Sequence, residues 1–231
     1  QWAITYLACP VTTSTMSITR YSPPTTANAG PNQTICSATV TMAANTTSAG
    51  IGTWSLLSGS GTITNANLNN TTVTGLGVGA NVFQWTTSNG TCPTSVSTVT
   101  ITRQALPTVS NAGSTQTVCA TTATLAGNTP AVGTGSWTLV SGSLGITTPT
   151  SPTSGLTGIN TGTHVLQWSI TNGVCPASTS TVAVIRDNFP TVASAGASQT
   201  ICAITYTMSG NTPAIGTGSW TVVSGSGNIV T

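Results

Sequence analysis

Runs in which every second residue is apolar recur along this chain. Phe83 and Trp85 flank Gln84, and Leu166, Trp168 and Ile170 alternate with Gln167 and Ser169. Val99 and Ile101 alternate with Thr98, Thr100 and Thr102, and Val182 and Val184 repeat them. Val40 and Met42 alternate with Thr39 and Thr41, and Trp54 and Leu56 with Thr53 and Ser55. A period of two puts the apolar side chains on one face of a half-buried strand and the hydroxyls on the other. Gly, Asn and Ser clusters such as Ser88-Asn89-Gly90 and Thr171-Asn172-Gly173 separate the runs. Asn-Gly suits a tight hairpin because both residues tolerate positive φ. No helical period is present. The pattern predicts an all-β chain of small antiparallel sandwiches. Their cores are predicted to hold Val40, Met42, Trp54, Leu56, Ile63, Phe83, Trp85, Val99 and Ile101, then Leu125, Trp137, Leu139, Ile146, Leu166, Trp168, Val182 and Val184.

The pattern itself repeats. Gly52-Thr53-Trp54, Gly135-Ser136-Trp137 and Gly218-Ser219-Trp220 are evenly spaced (137 − 54 = 83; 220 − 137 = 83). Pro24, Pro107 and Pro190 keep the same step and mark the joints. A fixed period of this size signals an array of like domains. The predicted divisions are residues 1–22, the end of one Ig-like repeat; 23–105 and 106–188, two whole repeats; and 189–231, the beginning of another. A short joint containing proline and little glycine predicts neighbours held end to end.

Six cysteines follow the same step: Cys9, Cys92 and Cys175 form one series, and Cys36, Cys119 and Cys202 the other. One of each kind per whole repeat predicts the pairs Cys36–Cys92 and Cys119–Cys175, each a clamp at one end of its sandwich, with Cys9 and Cys202 unpaired within this stretch. Disulfides point to an oxidising, extracellular compartment. There is no CxxC and a single histidine, so no metal site is expected.

Charge changes the picture further. Only 2% of residues are charged: Arg20, Arg103, Arg186 and Asp187. A net charge of +2 makes no basic patch, so nucleic acid is not an expected partner. No apolar run approaches the ~18 residues of a membrane helix, so membrane insertion is not expected. Low charge also removes repulsion between copies, which favours bundling with other copies of itself.

Asn28-Ala29-Gly30-Pro31-Asn32-Gln33-Thr34-Ile35-Cys36, the Gly-Thr-Trp-Ser-Leu-Leu-Ser-Gly stretch, Thr74-Gly75-Leu76 with Phe83-Gln84-Trp85, and Asn89-Gly90-Thr91-Cys92-Pro93 together carry a resemblance. The chain resembles, over its whole length, the tandem Ig-like or PKD-like repeats of very large surface adhesins of gliding and other Bacteroidota-type bacteria. The resemblance implies a secreted, cell-surface β-sandwich stalk, exported by the type IX route, with adhesion residing in selected domains. The family usually carries Asp where this chain has Asn32, Thr115 and Ser198, so calcium-stiffened joints are not expected.

Catalysis is not expected. Glycoside hydrolysis needs two carboxylates, and the chain has one acid. His164, which stands where the preceding repeat has Asn81, reads as a surface strand residue with no carboxylate near it in sequence. Arg20, Arg103 and Arg186 recur at one position and, with Asp187, are the candidate inter-domain contacts; a solvated strand end is the other reading. Asn32, Asn45, Asn69, Asn70 and Asn89 open N-x-Thr sequons. The leading expectation is a non-catalytic structural stalk whose partners are neighbouring repeats and no cofactor. The alternative is a ligand-binding module, for glycans or, given the Thr98-Thr100-Thr102 row, for ice.

Overall fold

A computed structural model describes residues 1–230. All regular structure in it is strand. A short pair, β1 (Trp2–Ile4) and β2 (Thr12–Ser14), comes first. Seven strands follow: β3 (Gln33–Ile35), β4 (Val40–Thr41), β5 (Ile51–Ser58), β6 (Thr62–Ile63), β7 (Thr72–Thr74), β8 (Gly79–Ser88) and β9 (Ser95–Arg103). Seven more repeat them: β10 (Gln116–Val118), β11 (Ala123–Thr124), β12 (Thr134–Ser141), β13 (Gly145–Ile146), β14 (Gly155–Thr157), β15 (Gly162–Asn172) and β16 (Cys175–Arg186).

Each set of seven forms two sheets. The first set makes a four-stranded sheet, β3-β9-β8-β5, and a three-stranded one, β4-β7-β6; the second makes β10-β16-β15-β12 and β11-β14-β13. Both sheets of a set share one core. Trp54, Phe83, Trp85, Val99 and Ile101 from the larger sheet meet Val73 from the smaller and Met42 beside it. Trp137, Leu166, Trp168, Val182 and Val184 meet Leu156 and Leu125 in the same way. Two short-stranded sheets around a single core, in this strand order, are Ig-like β-sandwiches. Each fully buried apolar side chain contributes about 1.5–3 kcal/mol gross.

The centre of each core is a cross-strand tryptophan pair. Trp54 lies directly opposite Trp85 and Trp137 opposite Trp168. Their ring centroids are 5.1 and 5.0 Å apart in tilted arrangements, which suit the ring quadrupoles. The glycine of the recurrent Gly-x-Trp stretch is explained by these rings: a Cβ on Gly52 or Gly135 would overlap the six-membered ring of Trp85 or Trp168.

Leu56 and Leu139, expected in the cores, are more than a third exposed. Both sit immediately before the bulge that shifts β5 against β8 and β12 against β15, at the rim of the sandwich. The cores instead gain Leu76 and Ile159, from loops that show no alternation.

The first strand of each repeat runs parallel to the last. Gln33 pairs with Ile101 and Ile35 with Arg103; Gln116 pairs with Val184 and Val118 with Arg186. The same offset is kept well before the ladder begins. Ser95 and Ser97 hydroxyls accept the amides of Ala27 and Ala29 at 3.0 and 3.1 Å, and Asn32 Oδ1 accepts the amide of Thr100 at 2.8 Å. Side-chain oxygens stand here where a ladder would use carbonyls.

At the two ends the pattern is incomplete. Trp2 pairs with Ser14, the register that Trp85 would have with Ser97, yet Trp2 is largely exposed. Gly218-Ser219-Trp220-Thr221-Val222 forms no strand, although it matches β5 and β12 in sequence. In the whole repeats that strand is held by β8 or β15, and no counterpart of these follows residue 220 within the 231 residues. The concavity of about 450 Å³ between Met208 and Trp220 corresponds to half of a core whose other half is supplied, in the whole repeats, by residues such as Leu156 and Trp168.

The chain divides into two compact units: Gln1–Leu106 with Asn172–Pro176, and Pro107–Thr171 with Ala177–Thr231. The division cuts across the sequence period, because the tip of the β15–β16 hairpin goes with the first unit.

Gly135→Ala is expected to lower stability by about 1–3 kcal/mol through overpacking against Trp168. Urea unfolding followed by tryptophan fluorescence reads this, and an unchanged midpoint would mean the indole is not seated on the glycine.

Candidate functional site

The parallel pairing decides where the cysteines lie. Residue i of the first strand sits beside residue i + 68 of the last, as Gln33 does beside Ile101. Cys36, one residue past β3, therefore lies level with Gln104, and Gln104 N donates to Ile35 O at 2.8 Å. Cys92 lies before β9, at its opposite end. The two are some twelve positions apart along the strand direction (104 − 92 = 12), about 40 Å at 3.3 Å per residue. A cystine needs Cα atoms within about 7 Å. The expected pair Cys36–Cys92 is thus not formed, and Cys119–Cys175 fails for the same reason.

Cys36 is joined instead to Cys175, with the Cα atoms 5.0 Å apart and 139 positions between them in sequence. The bond reaches from one repeat into the next. Its geometry is built on the dipeptide Gln104-Ala105. The Asn172-Gly173 hairpin tip rests on this dipeptide: Asn172 Nδ2 donates to Ala105 O at 2.7 Å, and Val174 N donates to Gln104 Oε1 at 2.7 Å. Gly173 has φ +53°, and any Cβ there would collide with the Gln104 amide. Cys175 Sγ lies 3.3 Å from Ala105 O. Cys36 arrives at the same dipeptide from the end of β3, so both sulfurs meet there.

The preceding joint is built alike. Asn89 Nδ2 donates to Ser22 O at 3.0 Å, and the Tyr21 ring occupies the space a Cβ on Gly90 would need. The Cys92 thiol donates to Ser22 O at 3.4 Å. Here no second sulfur is present, and Cys92 is free, as are Cys9, Cys119 and Cys202.

The arginines serve their own repeats. Arg103 Nη1 donates to Leu76 O at 2.7 Å, and Arg186 Nη1 to Ile159 O at 2.9 Å. Each clamps the loop that supplies the buried Leu76 or Ile159 onto the end of the last strand. Arg186 also lies 5.9 Å from the Phe189 ring centroid. The hydrogen bonds expected to an adjoining domain are made instead to a loop carbonyl of the same repeat; Arg186 alone also lies against a residue of the following stretch, Phe189. Arg20 and Asp187 are exposed, and Asp187 contributes its backbone amide to Val118 O.

His164 is buried, not a surface residue. Its Nδ1 accepts the amide of Ser143 at 3.1 Å, and its Nε2 donates to Asn160 O at 2.7 Å. Asn81 does the same work in the first repeat: Oδ1 accepts Ser60 N at 2.8 Å, and Nδ2 donates to Gly77 O at 3.0 Å. Its place in β15, in line with Leu166 and Trp168, is an inward one, and strand position overrides the polar character of the residue.

A recurrent asparagine escaped the sequence reading. Asn45, Asn128 and Asn211 keep the 83-residue step. Each carboxamide ties two chain segments together, Oδ1 accepting the amide of Asn28, Asn111 or Ser194 at 2.8 Å. The clip forms even in the third stretch, which has no strands. The period alone would have found it. It also bears on the sequons: Nδ2 of Asn45, Asn69 and Asn89 is already donated to Thr26 O, Ala44 O and Ser22 O.

Among the described residues no group of three His, Cys, Asp or Glu side chains is placed to hold a metal ion, and no helix is long and apolar enough to cross a membrane. One polar hollow, of about 250 Å³, is lined by Thr46, Thr47, Asn67 and Asn69 over the buried Trp85, whose Nε1 has no hydrogen-bond partner.

No family model matches the chain, and no curated protein matches it. Among solved structures it is similar to the insect immune protein hemolin, at 8% identity and TM-score 0.46, over 71% of this chain and 47% of that one. It is also similar to immunoglobulin domains 1–5 of Sidekick-1, at 12% identity and TM-score 0.44, over 74% of this chain and 41% of that one. Titin domains z1z2 match at 15% identity and TM-score 0.31, over 74% of this chain and 100% of that one. The chain thus spans less than half the length of the hemolin and Sidekick-1 chains it matches. The Ig-like assignment stands on strand order and the shared core.

Two outcomes are expected. Pepsin peptides of the unreduced protein contain a Cys36–Cys175 cross-link; a Cys36–Cys92 peptide would contradict the joint. His164→Ala costs about 1–3 kcal/mol by leaving Ser143 N and Asn160 O unpaired, whereas His164→Asn stays within about 1 kcal/mol because Asn81 already fills this role. Thermal unfolding of the two variants distinguishes them.

Proposed function

We propose that this chain is a stretch of an extracellular structural stalk, a tandem array of disulfide-braced Ig-like repeats on a bacterial surface adhesin. Residues 23–105 and 106–188 are whole repeats in this reading, flanked by the end of one at 1–22 and the start of another at 189–231. The observation that carries it is the Cys36–Cys175 bond. A cystine inside a sandwich stabilises that sandwich; one that runs from a repeat to its successor stabilises their connection, and that is useful where the connection bears load.

Other features support the same reading. Within the whole repeats the arginine, the asparagine clip and the histidine are used structurally: Arg103 and Arg186 on a loop carbonyl, Asn45 and Asn128 between chain segments, His164 in a buried clip. The hydroxyl-rich faces carry almost no charge, so contacts between repeats are nearly independent of salt. The cystine is in keeping with an oxidising location such as the cell exterior. The resemblance to Bacteroidota-type surface adhesins is the basis for the bacterial source and for export by a dedicated secretion route.

The polar hollow over Trp85 favours a second reading, a glycan-binding module. Its threonine and asparagine lining offers donors and acceptors to a sugar hydroxyl.

Excising one 83-residue repeat from the full-length protein is expected to shorten its surface projection by about 30 Å, one strand length plus a joint, and to leave its ligand spectrum unchanged. Electron microscopy of labelled cells and a glycan array on the present chain are the measurements. Specific glycan binding by this chain, or labelling confined to the cell interior, would reverse the assignment.

A further inference from the structure

We infer that Cys92 and Cys119 are half-cystines of the same inter-repeat bridge that Cys36 makes with Cys175. Cys119 takes the Cys175-type thiol of the repeat that follows it in the polypeptide, and Cys92 the Cys36-type thiol of the repeat before. The inference rests on the tandem-array reading but is tested apart from it.

Three observations carry it. First, register: Cys119 follows β10 as Cys36 follows β3, at the far end of β16 from Cys175, so no cysteine of its own repeat is within reach. Second, the cradle: Cys92 Sγ lies 3.4 Å from Ser22 O and 3.6 Å from Tyr21 O, while the bonded Cys175 Sγ lies 3.3 Å from Ala105 O and 3.7 Å from Gln104 O. The unbonded sulfur is already seated as the bonded one is. Third, access: Cys119 is exposed, whereas Cys36 in its bridge is half-buried. Arg186 Nε donates to Cys119 O at 3.3 Å, and the corresponding Arg103 Nε beside the bridged Cys36 has no partner. The bridged and unbridged states of one position thus stand side by side in this chain.

Forming each bridge removes two protons and two electrons from two thiols. A protein or small-molecule disulfide accepts the electrons by thiol–disulfide exchange and leaves as two thiols. The thiolate of one cysteine first displaces a thiol from that oxidant, and the second cysteine then displaces the other thiol as the Sγ–Sγ bond forms.

The consequence is mechanical. Cys175 and Cys202 are only 27 positions apart (202 − 175 = 27), across β16, the joint and the segment after it. Were every repeat bridged in this way, the shortest covalent route through two repeats would be one cystine and those 27 residues. At about 3.4 Å per residue this route cannot exceed roughly 90 Å, against roughly 560 Å for the 166 residues of two unbridged repeats. Opening both sandwiches would then add at most about 30 Å to the roughly 60 Å span of two repeats, against roughly 500 Å without the bridges.

The test inserts a second copy of residues 106–188 between Asn188 and Phe189 of the full chain. Cys119 then has a Cys175-type partner 139 positions on, the separation of the existing bridge. The protein is produced in an oxidising compartment, its free thiols alkylated, and its unreduced peptic peptides read by mass spectrometry. The expected result is two cross-linked peptides, Cys36 with Cys175 and Cys119 with the copied Cys175. Alkylation should then stay at four thiols, the number free in the present chain. Six alkylated thiols, Cys119 bonded inside its own repeat, or Cys119 bonded between molecules in reductant-sensitive multimers would each overturn the inference. Cys119→Ser in the extended chain should remove the second cross-link and leave the first; persistence of the second would also overturn it. The stalk reading survives such failures, since it rests on the Cys36–Cys175 bond alone.

Discussion

The parallel course of the first and last strands of each repeat governs most of what is distinctive here. A segment beginning at Ala27 follows β9 at a constant offset of 68 residues as far as Ile35 and Arg103. It crosses the whole length of the sandwich. Its two ends therefore belong to opposite poles, and every feature at those ends inherits a pole. Cys36 goes to the pole where the chain leaves the repeat, and Cys92 to the pole where it enters. A first strand that paired antiparallel, or that crossed to the other sheet halfway, would have placed the sulfurs differently.

The joint follows from that placement. The dipeptide Gln104-Ala105 is covered on one side by the end of β3 and on the other by the Asn172-Gly173 tip. Backbone hydrogen bonds, an amide side chain and a cystine all converge on two residues. The glycine at the tip is required twice, by its positive φ and by the side chain that lies over it. The preceding joint keeps this construction with different residues: Tyr21 in place of Gln104, Ser22 in place of Ala105. What is shared is a flat side chain over glycine and a carbonyl for the asparagine.

The near-absence of charge shapes the interior as well as the surface. Backbone amides in the edge segments are met by Ser95, Ser97, Asn32 and Asn45 rather than by ion pairs or a continuous ladder. Neutral hydrogen bonds of this kind are worth about 0.5–1.5 kcal/mol each, and they are not screened by salt. Asn81 and His164 show how loosely residue type is tied to such a role. An amide and a neutral imidazole each offer one acceptor and at least one donor, and the fold accepts either.

Composition and periodicity by themselves determined the β character, the 83-residue period, the tryptophans at the core and most of the core around them, because alternation and spacing are local properties of a strand. They placed the cysteines in two series with the same step. They did not reveal which cysteine meets which, that Leu56 and Leu139 fall at a bulged rim, that Leu76 and Ile159 close the cores from loops, or that His164 is enclosed. Each of these depends on strand direction, register or sheet overlap, and two strands with the same alternation can pair parallel or antiparallel without any change in the sequence pattern. Only the tertiary structure chose the parallel course, and with it a bond that ties a repeat to its neighbour instead of to itself.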